Sequence, residues 1–294
     1  MARPHKDALV NFLFDALPVR GVAVQLSAQW RELTALHDYA PVVREALGQA
    51  VGAAAMIAST MKFEGMLTLQ LSGQGSLGML IVQCTDQLQL RGMAGELDAE
   101  LPAEDFADLI GAGRLTLTVD TRDARDRYQG IVAIEAPTLA GSLAGYYRES
   151  AQLGAHFVLH ADGDHITGLM LQRMPDGGEI DEDDWRRICL MADTLTHAET
   201  VEGVDNGLLH RLFSEDDLIA YTERPVVFHC RCSQQRAERA LEMLGESDAR
   251  QLLEERGGEI EIVCEFCNRK RTLDAVDVAR LFNPAAIDGD SALH

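Results

Sequence analysis

The sequence predicts an α+β protein in three parts. These are an N-terminal domain of antiparallel sheet with packed helices over residues 1–175, a helical linker over 176–224, and a small C-terminal domain over 225–294. Three observations lead there. Runs alternating apolar and polar residues are grouped, with helical runs set apart from them, which favours α+β over a parallel α/β sheet. The charge balance shifts abruptly after Pro175. Four of the six cysteines fall into two tight pairs near the C-terminal end, Cys230 with Cys232 and Cys264 with Cys267.

In the first part, residues 33–61 have helical spacing and many small residues, which suits an interior helix under close packing. Residues 63–95 alternate in short runs broken by glycines, as a β-meander does. Residues 113–135 read as a hairpin turned at "TRDARDR", residues 138–154 as helical, and residues 155–175 as another hairpin turned at "ADGD". From 176 to 223 the chain carries fourteen acidic residues against three arginines and no lysine, a net of −11 over 48 residues. Apolar residues persist there at helical spacing: Trp185, Ile188, Cys189, Met191 and Leu195, then Leu208, Leu209, Leu212 and Phe213. Such a segment is an amphipathic helical linker that is poorly stable alone, because its like charges repel and its stripe needs a surface to cover.

In the last part, Ser233 is placed to cap "QQRAERALEML", ended by Gly245, and Ser247 to cap "DARQLLEER", ended by Gly257 and Gly258. "EIEIV" is a strand leading into the second cysteine pair, and "DAVDVARLF" is a closing helix with Asp274 at its start. So small a module has a thin core, and modules of this size generally need a metal or disulfides.

A formal net charge of −21 repels phosphate and argues against a nucleic-acid partner. The longest apolar run, "VGAAAMIA", is far too short to cross a bilayer. The N-terminus has no signal-type apolar core, because Asp7, Asn11 and Asp15 interrupt it, so a cytoplasmic location is expected. "GQGSLG" at residues 73–78 matches the dinucleotide pattern GxGxxG, with Glu96 near the acidic position, but the strand-like "MLIVQC" follows where a helix is required. A glycine-rich hairpin turn is expected instead. His160 and His165 bracket "ADGD" at a spacing that matches no standard metal site. No nucleophile elbow, HExxH or P-loop occurs, and no catalytic residue is assigned. Cys84 and Cys189 sit in apolar runs, where an inert, buried cysteine is the expectation.

In a reducing cytosol, paired cysteines read as metal-binding or redox-active before they read as structural disulfides. Residues two apart in an extended segment face one side, so Cys230 and Cys232 can aim two sulfurs at one centre. Cys264 and Cys267 have the spacing of a knuckle turn. Together they supply four soft ligands, enough to close a tetrahedral zinc site with Zn–S near ~2.3 Å and no open coordination position. His229 is a possible stray ligand, but the four thiolates already fill the shell. Arg231, Arg236, Arg269, Lys270 and Arg271 surround the pairs. These cations can favour oxidant-sensitive thiolates, or simply offset the negative charge of the cluster.

"PVVFHCRCS", "ALEMLG", "LLEERGGEIEIVCEFCN" and "LDAVDVARLF" resemble the heat shock protein 33 family, the redox-regulated holdase chaperones of bacteria. The resemblance continues upstream through "GRLTLTVD", "GLMLQRMP" and "LLHRLFSEDDL", and so spans nearly the whole chain. It implies one zinc ion per reduced chain on Cys230, Cys232, Cys264 and Cys267, and an ATP-independent chaperone that switches on when these thiols oxidise. It also implies disulfides Cys230–Cys232 and Cys264–Cys267, dimers of the active molecule, and unfolding client proteins as partners, held by the first domain with the freed linker. The competing class is an enzyme or regulator with a purely structural zinc module. Oxidant-dependent suppression of client aggregation separates the two.

Overall fold

The computed structural model describes residues 7–98, 100, 103–122, 127–175, 178, 180–201 and 206–283. The chain divides into two compact units, residues 1–229 and 230–294.

The first unit begins with a hairpin that the sequence reading did not assign, β1 (Ala8–Phe14) and β2 (Val19–Leu26). The short helix α1 (Ala28–Thr34) follows, and then α2 (Pro41–Thr60). The helix expected over 33–61 is thus interrupted. Pro41 opens α2 because its missing N–H and fixed φ suit the first turn. The expected meander is β3 (Gly65–Gly73), β4 (Met79–Thr85) and β5 (Gln89–Ala94). After α3 (Phe106–Ile110) comes the expected hairpin of β6 (Gly113–Thr121) and β7 (Arg127–Ile134). Residues 123–126 of its turn lie outside the described residues. Helix α4 (Leu139–Tyr146) runs into one π-turn (Tyr147–Ala151), and β8 (Ala155–Ala161) and β9 (Ile166–Arg173) form the last expected hairpin.

These strands make two six-stranded sheets. One is ordered β12-β5-β4-β3-β6-β7, where β12 is Val227–Phe228. Its register sets Leu67, Leu69 and Leu71 of β3 opposite Val119, Leu117 and Leu115 of β6. The other is ordered β10-β1-β2-β9-β8, with β11 also pairing β1; β10 is Leu218–Ala220 and β11 is Arg224–Pro225. Helix α2 lies between the sheets, packing on β2, β8 and β9 of one and on β3, β4 and β5 of the other. Its run of Gly and Ala follows from that position. A Cβ on Gly52 would meet Ile166 at 2.9 Å, so small residues allow sheet and helix to approach. Residues 73–78 turn β3 into β4 with no helix after them, and a Cβ on Gly73 would strike the Ile110 carbonyl. The glycines therefore admit the end of α3, as the hairpin reading of "GQGSLG" requires.

The acidic segment forms the outer layer of this unit. Its helices are α5 (Glu182–Asp193), α6 (His197–Val201) and α7 (Asn206–Leu212). Ile188, Ala192, Leu195, Leu208, Leu209 and Phe213 are buried against Phe12, Phe14, Ala23, Leu169 and Leu171. The expected stripe thus covers the face of the second sheet opposite α2, and β9 is buried on both faces as a result. The segment is not wholly helical, because residues 218–220 near its end form the short strand β10 and Arg224 begins β11.

A polar seam frames this contact. Arg173 makes two 2.8 Å bonds to Glu182 and lies 4.7 Å over the Trp185 ring. His156 meets Asp193 at 2.7 Å, His160 meets the Leu195 carbonyl at 3.2 Å, and His197 meets Asp162 at 2.7 Å. Thr167 and Thr200 share a buried 2.8 Å hydrogen bond. Burial would raise the Asp162 carboxyl, but the His197 bond and N–H donors from Asp164 and His165 outweigh it and hold it low. No described helix is long and apolar enough to cross a membrane.

The second unit holds α8 (Gln234–Leu244), α9 (Glu246–Glu255), a hairpin of β13 (Glu259–Val263) and β14 (Lys270–Asp274), and α10 (Ala275–Phe282). Ser233 caps α8 as expected, its hydroxyl accepting from the Arg236 N–H. Ser247 does not cap α9. The helix starts two residues earlier than expected, after Gly245, and Ser247 lies inside its first turn. Asp274 caps α10 in a reciprocal box with Asp277. Among the described residues, six buried apolar side chains form its core, Ala237, Leu241, Ala249, Ile260, Leu273 and Val278, with Leu252, Leu253, Ile262, Leu281 and Phe282 packed against them.

Candidate metal centre

Two local structures aim the cysteines. Cys230 and Cys232 lie in the extended stretch between β12 and the Ser233 cap. Cys264 and Cys267 lie in the turn of the β13–β14 hairpin. There the Cys264 N–H donates to the Arg269 carbonyl at 3.1 Å, and the Cys264 carbonyl accepts from Cys267 at 3.2 Å and Asn268 at 2.8 Å. Asn268 adopts φ 47°, a left-handed conformation that asparagine tolerates better than most residues. This is the knuckle expected from the CxxC spacing.

The four sulfurs converge. Cys230 and Cys264 are 3.7 Å apart, Cys232 and Cys267 are 3.4 Å apart, and all four lie within 4.8 Å of one another. A tetrahedral thiolate centre with ~2.3 Å bonds separates its sulfurs by about 3.8 Å. The donor set therefore fits a four-coordinate ion and leaves no position for a reacting water. Cys267 is buried and the other three are half-buried. His229, weighed as a ligand, is exposed and does not belong to the cluster; its N–H donates to the Leu90 carbonyl.

Proton affinities differ within the set. Burial pushes the Cys267 thiol up to about 12 and raises Cys230 as well. Burial would also raise Cys232, but hydrogen bonds with Cys267, Cys230 and the Arg271 guanidinium outweigh it and hold that thiol below its ordinary value. Of the basic neighbours, Arg271 thus acts on a cysteine of the cluster, whereas Lys270 turns to Glu261 at 3.0 Å. Four sulfurs this close cannot all ionise without a cation among them.

A model of the Hsp33 protein family matches residues 7–274. The chain belongs to the Hsp33 family. Its Hsp33 relatives include the 33 kDa chaperonin of Pseudomonas syringae pv. syringae strain B728a, 40% identical over 294 residues, spanning 98% of this chain and 97% of that protein. The 33 kDa chaperonin of Pseudomonas aeruginosa strain LESB58 is 41% identical over 293 residues, spanning 98% of each. The fold matches the crystal structure of the Hsp33 homologue of Thermotoga maritima with a TM-score of 0.80, covering 94% of this chain and 98% of that one at 21% identity. The family resemblance carried by the cysteine motifs therefore holds for the whole chain.

The remaining cysteines lie outside the cluster. Cys84 is fully buried, as expected, and Cys189 only half-buried. Burial pushes both thiols up to about 12, so neither is a thiolate at neutral pH. Replacing both with alanine should leave metal content and oxidant-triggered metal release unchanged. A dye-based metal-release assay on that variant checks this, and loss of release would make one of them a redox partner. Residues the sequence reading missed are those that receive the acidic segment: Phe12, Phe14, His156, Thr167 and Arg173. The alternation in "ALVNFLF" was the available signal for the first two.

Proposed function

We propose that the chain is an ATP-independent holdase chaperone, switched by the redox state of Cys230, Cys232, Cys264 and Cys267. In this reading the reduced chain holds one zinc ion and is inactive. The oxidised chain binds unfolding proteins in the cytoplasm and keeps them from aggregating under oxidative stress. What carries the reading is the convergence of four sulfurs within 4.8 Å in a unit whose core has, among the described residues, six buried apolar side chains. Bound zinc would supply folding free energy to that unit and neutralise its thiolates.

The chain's own residues do the rest. An oxidant such as a peroxide takes two electrons from a pair of thiolates, an S–S bond forms, and both sulfurs cease to be ligands. The pairs proposed are Cys230–Cys232 and Cys264–Cys267. The small core then loses its staple. Cys230 lies two residues after β12, so unfolding beyond 229 removes the ordered chain that follows the segment. That segment, the proposed linker of 176–224, is held by an apolar stripe and a seam of partly exposed polar contacts, which are individually weak. Its release uncovers apolar faces on both sides of the contact, Phe12 and Leu171 on the sheet and Leu209 and Phe213 on the segment. These would hold clients and active chains would dimerise, while the charge of −21 keeps the opened protein in solution and away from nucleic acid.

The test is light scattering from a thermally unfolding client. The oxidised chain should suppress aggregation at near-stoichiometric ratio, and the reduced, zinc-loaded chain should not. Equal activity in both forms contradicts the switch. Inactivity in both contradicts the chaperone.

A further inference from the structure

We propose that the edge of β5 is a slot for an extended apolar segment of an unfolded polypeptide, filled in the resting chain by its own residues 226–229. The inference rests on the reading of the chain as a switched holdase, and adds a surface distinct from the sheet face under the acidic segment. Strand β12 lies parallel to β5, with Val227 opposite Gln89 and Phe228 opposite Leu90. Its backbone donors are used on both sides. The N–H groups of Val227 and His229 donate to the Leu88 and Leu90 carbonyls at 3.1 and 2.8 Å. Those of Val226 and Phe228 turn the other way, to the Asp7 carbonyl at 3.0 Å and to Gln29 Oε1 at 2.6 Å. This stretch is thus held largely through its main chain.

Its side chains are sorted by alternation. Val226 is 1% exposed and Phe228 packs on the main core of the first unit, whereas Val227 between them is 44% exposed. The slot therefore asks for apolar residues at two alternate positions and tolerates any residue between them. Main-chain hydrogen bonds joined to alternate apolar sites are how a sheet edge takes an extended peptide. That rule suits many unfolded sequences, and it excludes folded chains whose strands are already paired.

The slot is longer than the stretch that fills it. The pairing ends at Leu90, but β5 continues to Ala94. Gly92 and Ala94 follow Leu90 in the alternation, so their N–H groups face the same edge. That of Ala94 donates to the Tyr39 hydroxyl at 3.2 Å, where an added strand would offer a carbonyl. His37, Tyr39, Val43 and Ala94 line a cavity of 320 Å³ at this end, and Asp38 and Glu96 complete a wall that favours a basic side chain. From Gln89 to Ala94 there is no proline and no lysine to blunt the edge, so residues 226–229 are its cover. In the switched state both flanks of that cover are slack, since the acidic segment precedes it and the second unit follows it.

Two measurements on the full chain test this, with reduced, carboxymethylated lactalbumin as a permanently unfolded probe. The first places the photocrosslinker benzoylphenylalanine at Gln89, which is half-buried and opposite the exposed Val227. It should crosslink lactalbumin in the oxidised chain and not in the reduced, zinc-loaded one. The second is hydrogen exchange on the unsubstituted chain. Oxidation should speed exchange at the Leu90 amide about tenfold or more, and lactalbumin should slow it again and slow Gly92 with it. Lactalbumin that binds, by fluorescence anisotropy, with no crosslink from residue 89 and no protection at Leu90 and Gly92 overturns the slot and leaves the holdase reading standing. Crosslinks from residue 89 to a second copy in place of lactalbumin also overturn it, and make the edge a site for an exchanged 226–229 stretch. An oxidised chain that binds no lactalbumin overturns both readings.

Discussion

Replacing Phe213 with alanine should produce a chain that suppresses client aggregation while still reduced and metal-loaded. Phe213 is fully buried, with its ring 5.0 Å from that of Phe14 and 6.1 Å from that of Phe12. It is the largest fully buried side chain that the acidic segment places in the contact with the second sheet. Truncating a buried phenylalanine costs about 3–5 kcal/mol. The polar contacts that remain at the rim, His156 with Asp193 and Arg173 with Glu182, are screened by solvent and cannot replace it. The segment should therefore undock at equilibrium with the four cysteines untouched. Phe213→Leu keeps more of the volume and should stay near wild type. Light scattering read beside metal content checks this. An inactive, metal-loaded Phe213→Ala chain with a loosened segment would show that undocking is not the gate.

Removing the metal under reducing conditions should unfold the second unit. Structural zinc in small modules contributes about 10–16 kcal/mol at neutral pH, as much as the whole stability of an ordinary domain. The six buried apolar residues of this unit include two alanines and no aromatic ring. A strong chelator with a thiol reductant should remove the far-UV helical signal of α8, α9 and α10 and open that region to protease. The first unit should keep its signal, since α2 is buried between two sheets and depends on no cysteine ligand. Chelated protein with an unchanged spectrum would mean that the module stands without its ion.

Legibility in the sequence followed the range of the interactions. The four-cysteine cluster could be read because each half of it is local: CxC beside the Ser233 cap, and CxxC in a turn closed by its own backbone. The β3–β4–β5 meander and the β6–β7 and β8–β9 hairpins could be read because their strands alternate next to their turns. The β1–β2 hairpin was missed because the second sheet is covered on both faces. Residues Val22 to Val24 are then all buried, and the alternation disappears. β14 was missed for the opposite reason: in a two-stranded ribbon with one thin core, only Leu273 of "KRTLD" is buried. The polar seam joins residues from nine to 37 apart in the chain, such as Arg173 with Glu182 and His156 with Asp193, and no periodicity announces such pairs.

The central claim is that loss of the four thiolate ligands unfolds the second unit and loosens the acidic segment while the first domain stands. Hydrogen exchange on reduced, metal-loaded chain and on oxidised chain measures this region by region. Oxidation should remove protection across 230–283 and lower it across 180–217, while β3 around Leu67–Leu71 and β6 around Leu115–Val119 remain protected. Protection lost uniformly along the chain, or unchanged in 180–217 while chaperone activity appears, would contradict it.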